Sequence, residues 1–172
     1  MLADTKRAKR EARSLLQRGG VTEPKVPVKR LATMFGCVVK TADLDDELSG
    51  MSFVKEGKAA IVVNAWHHPN RQRFTIAHEL GHHVLHADFL QNGVVHVDKA
   101  ILRRGPLSAE GMDAKEVEAN AFAAELLMPR SFVKQVIPLE FDLQDEAQLI
   151  QYAKKFGVSA SALGYRILNI RN

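Results

Sequence analysis

"RFTIAHELGHHVLH", residues 73–86, sets four histidines and one glutamate along a run whose apolar positions recur at helical spacing. His78, Glu79 and His82 spell H-E-x-x-H. Residues four apart on a helix share a face, so His78 and His82 can offer two imidazoles to one cation. Glu79 stands about 100° round the helix from His78. There it flanks a metal held by the two histidines without having to ligate it, which is the placement of a general base acting on water. Gly81, inside the motif, removes side-chain bulk where another element can come close. The apolar flanks Phe74, Ile76, Leu80, Val84 and Leu85 fit a packed helix better than a surface helix with incidental histidines.

A catalytic zinc takes three protein ligands and keeps a fourth position for water. "DAKEVEANAFAAELLM", residues 113–128, reads as a second strong helix and supplies a candidate. Glu116 could complete a His, His, Glu site. Asn120, one turn later, could hydrogen-bond a ligand imidazole and fix its tautomer. Ala123 shares that face and lets the two helices approach. Glu118 points elsewhere by helical phase and is the second choice. Among the other histidines, His83 points away from the ligand face. His86 is in phase with His82 and either supports a ligand or sits at a helix end near the negative pole of the dipole. His67, His68 and His96 lie in loops, and spacing selects none of them as an oxyanion donor.

The 172 residues are 46% hydrophobic and 26% charged, a globular balance with enough chain to bury a core without metal or disulfide staples. A metal here therefore need not be structural. The single cysteine, Cys37, excludes a disulfide within the chain and, in "FGCVVK", reads as a small buried hydrophobe. Much of the net charge of +4 sits in "KRAKREARSLLQR", residues 6–18, a basic amphipathic helix with a solvated charged face. No aromatics interleave it as nucleic-acid binding would favour. The start of the chain has no apolar signal core, and no stretch reaches the ~18 apolar residues of a membrane span, so a cytoplasmic protein without a membrane partner is expected.

Outward from the two motifs, residues 4–18 read as helix, stopped by Gly19 and Gly20. "VPVKRLATMFG", residues 26–36, reads as a short helix with Val28, Leu31, Ala32 and Phe35 on one face. "CVVKTADL", "LSGMSFVK" and "KAAIVVN" then change the period and predict a small, largely antiparallel sheet, with a turn at "KEGK". "AWHHPN" is a loop, the metal-motif helix covers residues 71–87, and residues 88–112 read as irregular. "QDEAQLIQYAKKFGVSASALGYRILNI", residues 144–170, holds two helices joined at "FGVS". The pattern is α+β, divided near Pro138 into a core of residues 1–137 and an appendage of residues 138–172.

"QRFTIAHELGHHVLH" followed by "EVEANAFAAELLMP" resembles the ImmA/IrrE family of metallopeptidases. "VPVKRLATMFG", "LSGMSF" and "AIVVN" also look like the N-terminal half of that family, and "YAKKFGVSASALGYRI" like the helix-turn-helix-like tail common in its members. The resemblance implies a zincin-like fold in which two helices clasp one Zn2+. It implies His78 and His82 as ligands, Glu79 as general base and Glu116 as third ligand. It also implies a substrate class, since members of the family cut helix-turn-helix repressors, often encoded beside them. The rival reading is a DNA-binding or repressor-binding regulator whose zinc site is not used in catalysis. A recognition helix reads bases with its N-terminal residues. Here those are Ser159, Ala160, Ser161 and Ala162, with Arg166, Asn169 and Arg171 all late. Packing or repressor docking is therefore expected of the tail before direct DNA binding.

Overall fold

The change of period after residue 36 produces three strands, β1 (Cys37–Ala42), β2 (Leu48–Lys55) and β3 (Lys58–Asn64), in a computed structural model that describes residues 2–91, 95–99 and 114–171. Glu56 and Gly57, both at positive φ (51° and 74°), close the β2–β3 hairpin. Two such residues give the turn whose twist matches that of paired strands. β3 pairs β2 antiparallel, from Gly50 opposite Val63 to Lys55 opposite Lys58, and pairs β1 in parallel, from Cys37 opposite Ala59 to Ala42 opposite Asn64. A fourth strand, β4 (His96–Lys99), adds antiparallel to β2, so the order is β1-β3-β2-β4. The sheet is thus largely antiparallel, as expected, with one parallel pair that local sequence does not announce.

β4 lies in the stretch expected to be irregular. So does the short helix α4 (Ala87–Gln91), while residues 92–94 and 100–113 lie outside the described residues. "VHVDK" alternates apolar and polar side chains, the period of a strand. The metal-motif helix, α3, runs Pro69–Leu85 rather than 71–87. Proline is at home in a first helical turn, where its missing N–H costs no bond. The His68 ring accepts from the Asn70 backbone N–H to cap it.

Helix α3 lies against β2 and β3, helix α5 (Ala114–Leu127) against α3, and helix α1 (Thr5–Arg18) against both α5 and α3. The contacts are made by small residues. Ala8, Ala12, Ala77, Ala119 and Ala123 are all fully buried, which lets the helix axes come close. Gly81 carries the same logic furthest. A Cβ there would sit 3.1 Å from the Phe122 ring and 3.3 Å from Ala119 Cα. The sequence had marked Gly81 as a place of close approach, and the neighbour is α5.

Helix α1 buries Ala8, Ala12, Leu15 and Leu16 and leaves its basic face in solvent, as its pattern predicts. Helix α2 (Val28–Met34) buries Val28, Leu31 and Ala32. Phe35, assigned to that face, is 37% exposed, because the helix stops at Met34 and the chain turns away through Gly36 at φ 99°. Cys37 is buried, and burial pushes its thiol up to about 11.

Three helices close the chain: α6 (Arg130–Val136), which the sequence reading did not single out, α7 (Glu146–Phe156) and α8 (Ala160–Arg171). Gly157, left-handed at φ 66°, caps α7. Phe156, Leu163 and Ile167 join the same buried cluster as Ile76, Leu80 and Phe122. Polar ties add to it. The Arg73 guanidinium donates to the carbonyls of Gly157 (3.0 Å) and Val26 (2.9 Å), and Asn70 Nδ2 donates to the Val158 carbonyl (2.9 Å). Buried Arg166 pairs with Glu125 and donates to the Met128 carbonyl. No helix among the described residues is long and apolar enough to cross a membrane.

Candidate metal centre

The close crossing of α3 and α5 brings His78, His82 and Glu116 together. One nitrogen from each ring and one carboxylate oxygen all lie within 4.8 Å of one another. His78 Nε2 is 3.3 Å and His82 Nε2 3.1 Å from the Glu116 carboxylate, and the two Nε2 atoms are 3.1 Å apart.

The other ring nitrogens decide the tautomers. His78 Nδ1 donates to Asn120 Oδ1 at 3.1 Å, the contact expected of Asn120. His86 Nε2 donates to the Glu118 carboxylate at 2.9 Å, which leaves the lone pair of a neutral His86 ring on Nδ1. That lone pair accepts from His82 Nδ1 at 3.1 Å. Both candidate ligand rings therefore keep their proton on Nδ1 and turn an Nε2 lone pair toward the same point, where a carboxylate also converges. Burial holds the His82 ring down at about 4, against the raising effect of the Glu116 carboxylate, so the ring is neutral at pH 7. A neutral imidazole is the form that binds metal. Two lone pairs and a carboxylate facing one another repel, and a bound cation relieves that repulsion. The donor set fits a divalent ion of the zinc type, which takes nitrogen and carboxylate ligands together.

Glu79 is fully buried beside this set. Its Oε2 accepts from Ser52 Oγ on β2 at 2.5 Å and lies 3.1 Å from His96 Nδ1 on β4. Its Oε1 has no hydrogen-bond partner among the described residues. Burial works to raise the Glu79 carboxyl, but the His96 bond and the surrounding rings outweigh it and hold the group below its ordinary value. Glu116 is likewise drawn well below the carboxylate range: burial opposes the shift, and the imidazole groups gathered round it, His96 as hydrogen-bond donor among them, outweigh it.

His96 is the residue that sequence reasoning left among the loops. Its Nε2 is 2.9 Å from Glu116 Oε1, so one ring bridges the candidate base and the candidate third ligand. Burial lowers its basicity, yet the two carboxylates raise it to about 10. The alternation around it was the available signal. Ser52 carried none, since a serine on a strand is unremarkable by type or spacing. His86 resolves toward the supporting role, and Glu118, the second choice for ligand, acts on His82 through it. His83 faces β3, hydrogen-bonded to the Ala60 backbone, as its phase predicts. His68 caps α3, and neither it nor His67 is among the groups that converge on Glu116.

The sequence profile of the IrrE N-terminal-like domain, peptidase family M78, matches residues 32–168. The "uncharacterized immunity region protein 2" of Bacillus phage phi105 is 32% identical over 117 residues, 68% of this chain and 68% of that one. Among solved structures, a Mycobacterium tuberculosis transcriptional regulator superposes with a TM-score of 0.57 at 19% identity, over 91% of this chain and 44% of that protein. This chain spans under half the length of that regulator, and the likeness is one of fold. The chain belongs to the IrrE N-terminal-like family of M78 peptidases.

Proposed function

We propose, on the premise of that membership, that the chain is a zinc-dependent endopeptidase of zincin-like architecture that cuts a protein substrate in the cytoplasm. The observation that carries the reading is the pairing of a His78, His82, Glu116 donor set with the adjacent buried carboxylate of Glu79, one oxygen of which has no hydrogen-bond partner among the described residues. A purely structural metal site has no use for that second carboxylate.

In this reading His78, His82 and Glu116 hold the zinc. When bound, zinc supplies the Lewis acid that brings the pKa of water toward 7 and polarises the scissile carbonyl. Ser52 and His96 fix Oε2 of Glu79 and so orient the carboxylate. Glu79 takes a proton from the attacking water and passes it to the leaving amine. Asn120 and the His86–Glu118 pair keep the two ligand rings in the tautomer that presents Nε2. Residues 138–172 act as an appendage to the peptidase unit of residues 1–137. A phage immunity-region protein among the relatives favours a helix-turn-helix repressor as substrate, as the resemblance in the sequence implied.

The test is metal content and cleavage measured together on wild type, Glu79→Gln and His82→Ala, with the repressor encoded beside the gene as substrate. Glu79→Gln should keep its zinc and lose about 10²–10⁴-fold in cleavage rate. His82→Ala should lose zinc on dialysis. A Glu79→Gln chain that cuts at the wild-type rate would remove Glu79 as base. A zinc-loaded wild type that binds the repressor and leaves it intact would replace the peptidase with a binding regulator.

A further inference from the structure

Arg71, Phe74, Thr75 and His78 lie on one face of α3, at spacings of three and four residues. His78 belongs to the metal centre. The other three line a cavity of about 710 Å³ immediately N-terminal to it along the helix. The cavity and the metal centre share a wall. Phe74 stacks along the His78 ring, with centroids 6.2 Å apart, and Asn120 lines the cavity while its Oδ1 holds His78 Nδ1. The far wall belongs to the end of the chain: Val158 from the α7–α8 turn, and Ala162 and Tyr165 from the first two turns of α8. Tyr165 is 70% exposed, an aromatic ring held at the rim.

We infer that this cavity is the specificity pocket of the site, and that it takes a large apolar side chain of the substrate close to the scissile bond. The inference rests on the peptidase reading and names the substrate chemistry of that same site. Three observations carry it. The cavity adjoins the candidate ligands, so a peptide lying across the metal centre reaches it within a residue or two of the bond. Its walls are largely apolar, through Phe74, Met128, Val158 and Tyr165, and its size falls within the ~300–1,000 Å³ of ordinary ligand sites. Arg71 lines it, and no aspartate or glutamate does among the described residues, so a basic side chain is disfavoured there.

The inference also gives the last two helices a task. The first turns of α8, which a DNA-reading helix would point at bases, here point Ser161, Ala162 and Tyr165 at the cavity. Arg73 and Asn70 bind the α7–α8 turn to α3 through its carbonyls, which fixes the far wall to the helix that carries the ligands. The tail is then half of a substrate pocket.

The test uses the full zinc-loaded chain in the Glu79→Gln background, so that bound peptide is not consumed. The probes are short fluorescein-labelled peptides identical except for one central residue, Phe, Leu, Ala, Asp or Lys, followed by fluorescence polarisation. The Phe and Leu peptides should bind at least about tenfold more tightly than the Lys peptide. Ala162→Trp, which fills the pocket from α8, should erase that preference with zinc content and melting midpoint unchanged. Should the tryptophan unfold the chain, Tyr165→Ala reads the same wall by removing apolar surface, and should weaken the Phe peptide more than the Ala peptide. Equal affinity across the peptides, no binding at all, or a preference untouched by both variants would overturn the pocket. Binding as described, with wild type leaving the bound peptides uncut, would keep the pocket and refute the peptidase.

Discussion

Two of the carboxylates on helix α5, Glu116 near its start and Glu125 near its end, are treated in opposite ways. Glu125 is met by fixed cations, Arg166 from α8 and Arg13 from α1 at 3.1 Å, and Arg166 also donates to the Met128 carbonyl. Glu116 is met by the rings of His78, His82 and His96. An arginine keeps its charge at any pH a protein meets and cannot be a ligand. Of the rings at Glu116, His96, raised to about 10, brings a proton, while the neutral His82 ring brings a lone pair that a cation can take. The same residue type, nine positions apart on one helix, is closed into an ion pair with arginines at one end and gathered with histidines into a candidate metal site at the other.

Perturbations at the two ends of α5 can break or sharpen that contrast. The largest is Glu125→Ala. It strands Arg166, which is only 7% exposed, and should destabilise the fold by about 3–5 kcal/mol in urea unfolding, with zinc stoichiometry unchanged. If zinc were lost while stability held, the two ends of α5 would not be separate in function. At the open end, Asn120→Ala frees the His78 ring and should weaken metal affinity about 10–100-fold in a competition with a chromogenic chelator. Glu118→Gln should act in the same direction through His86 and His82, and an affinity equal to wild type would mean that the relay carries nothing.

Gly81→Ala bears on both ends at once. Its methyl would meet Phe122 and the α5 backbone, so a loss of about 1–3 kcal/mol is expected, with a parallel drop in metal affinity as the helices part. The smallest effect belongs to Cys37. Its thiol is raised to about 11, so the folded thiol stays protonated where an unfolded one ionises. Stability is then level below the unfolded value of about 8.5 and declines as pH rises toward 11. Cys37→Ala should flatten that decline, and the native thiol should resist iodoacetamide at pH 8.

How legible these features were depended on where the information sat. α3 and α5 declare themselves because ligand chemistry and helical period coincide within each segment, and Asn120 follows from Glu116 by one turn. His96 and Ser52 reach Glu79 from two strands of the sheet, across 17 and 27 residues of chain. Their placement depends on the pairing of β2 with β4, which no local pattern encodes. β4 itself was visible as alternation but was outweighed by the breakers around it. The parallel pairing of β1 depends on β2 reaching the other side of β3, a choice made by topology. Phe35 is half-exposed for a local reason: it keeps helical phase as the C-cap of α2, but the chain leaves at Gly36 and no further turn follows to cover the ring.

The Nδ1 bonds of the two candidate ligand rings have a consequence in time. Asn120 and the His86–Glu118 pair orient the rings, and a continuous apolar core holds α3 against α5, so the geometry that receives the ion is set by folding. Folding and loading become separate events. A chelator should strip the metal and leave circular dichroism unchanged, and added zinc should restore occupancy at mixing speed, with no refolding phase. Under the proposed function, the metal-free chain is then a folded reserve whose loading follows metal supply.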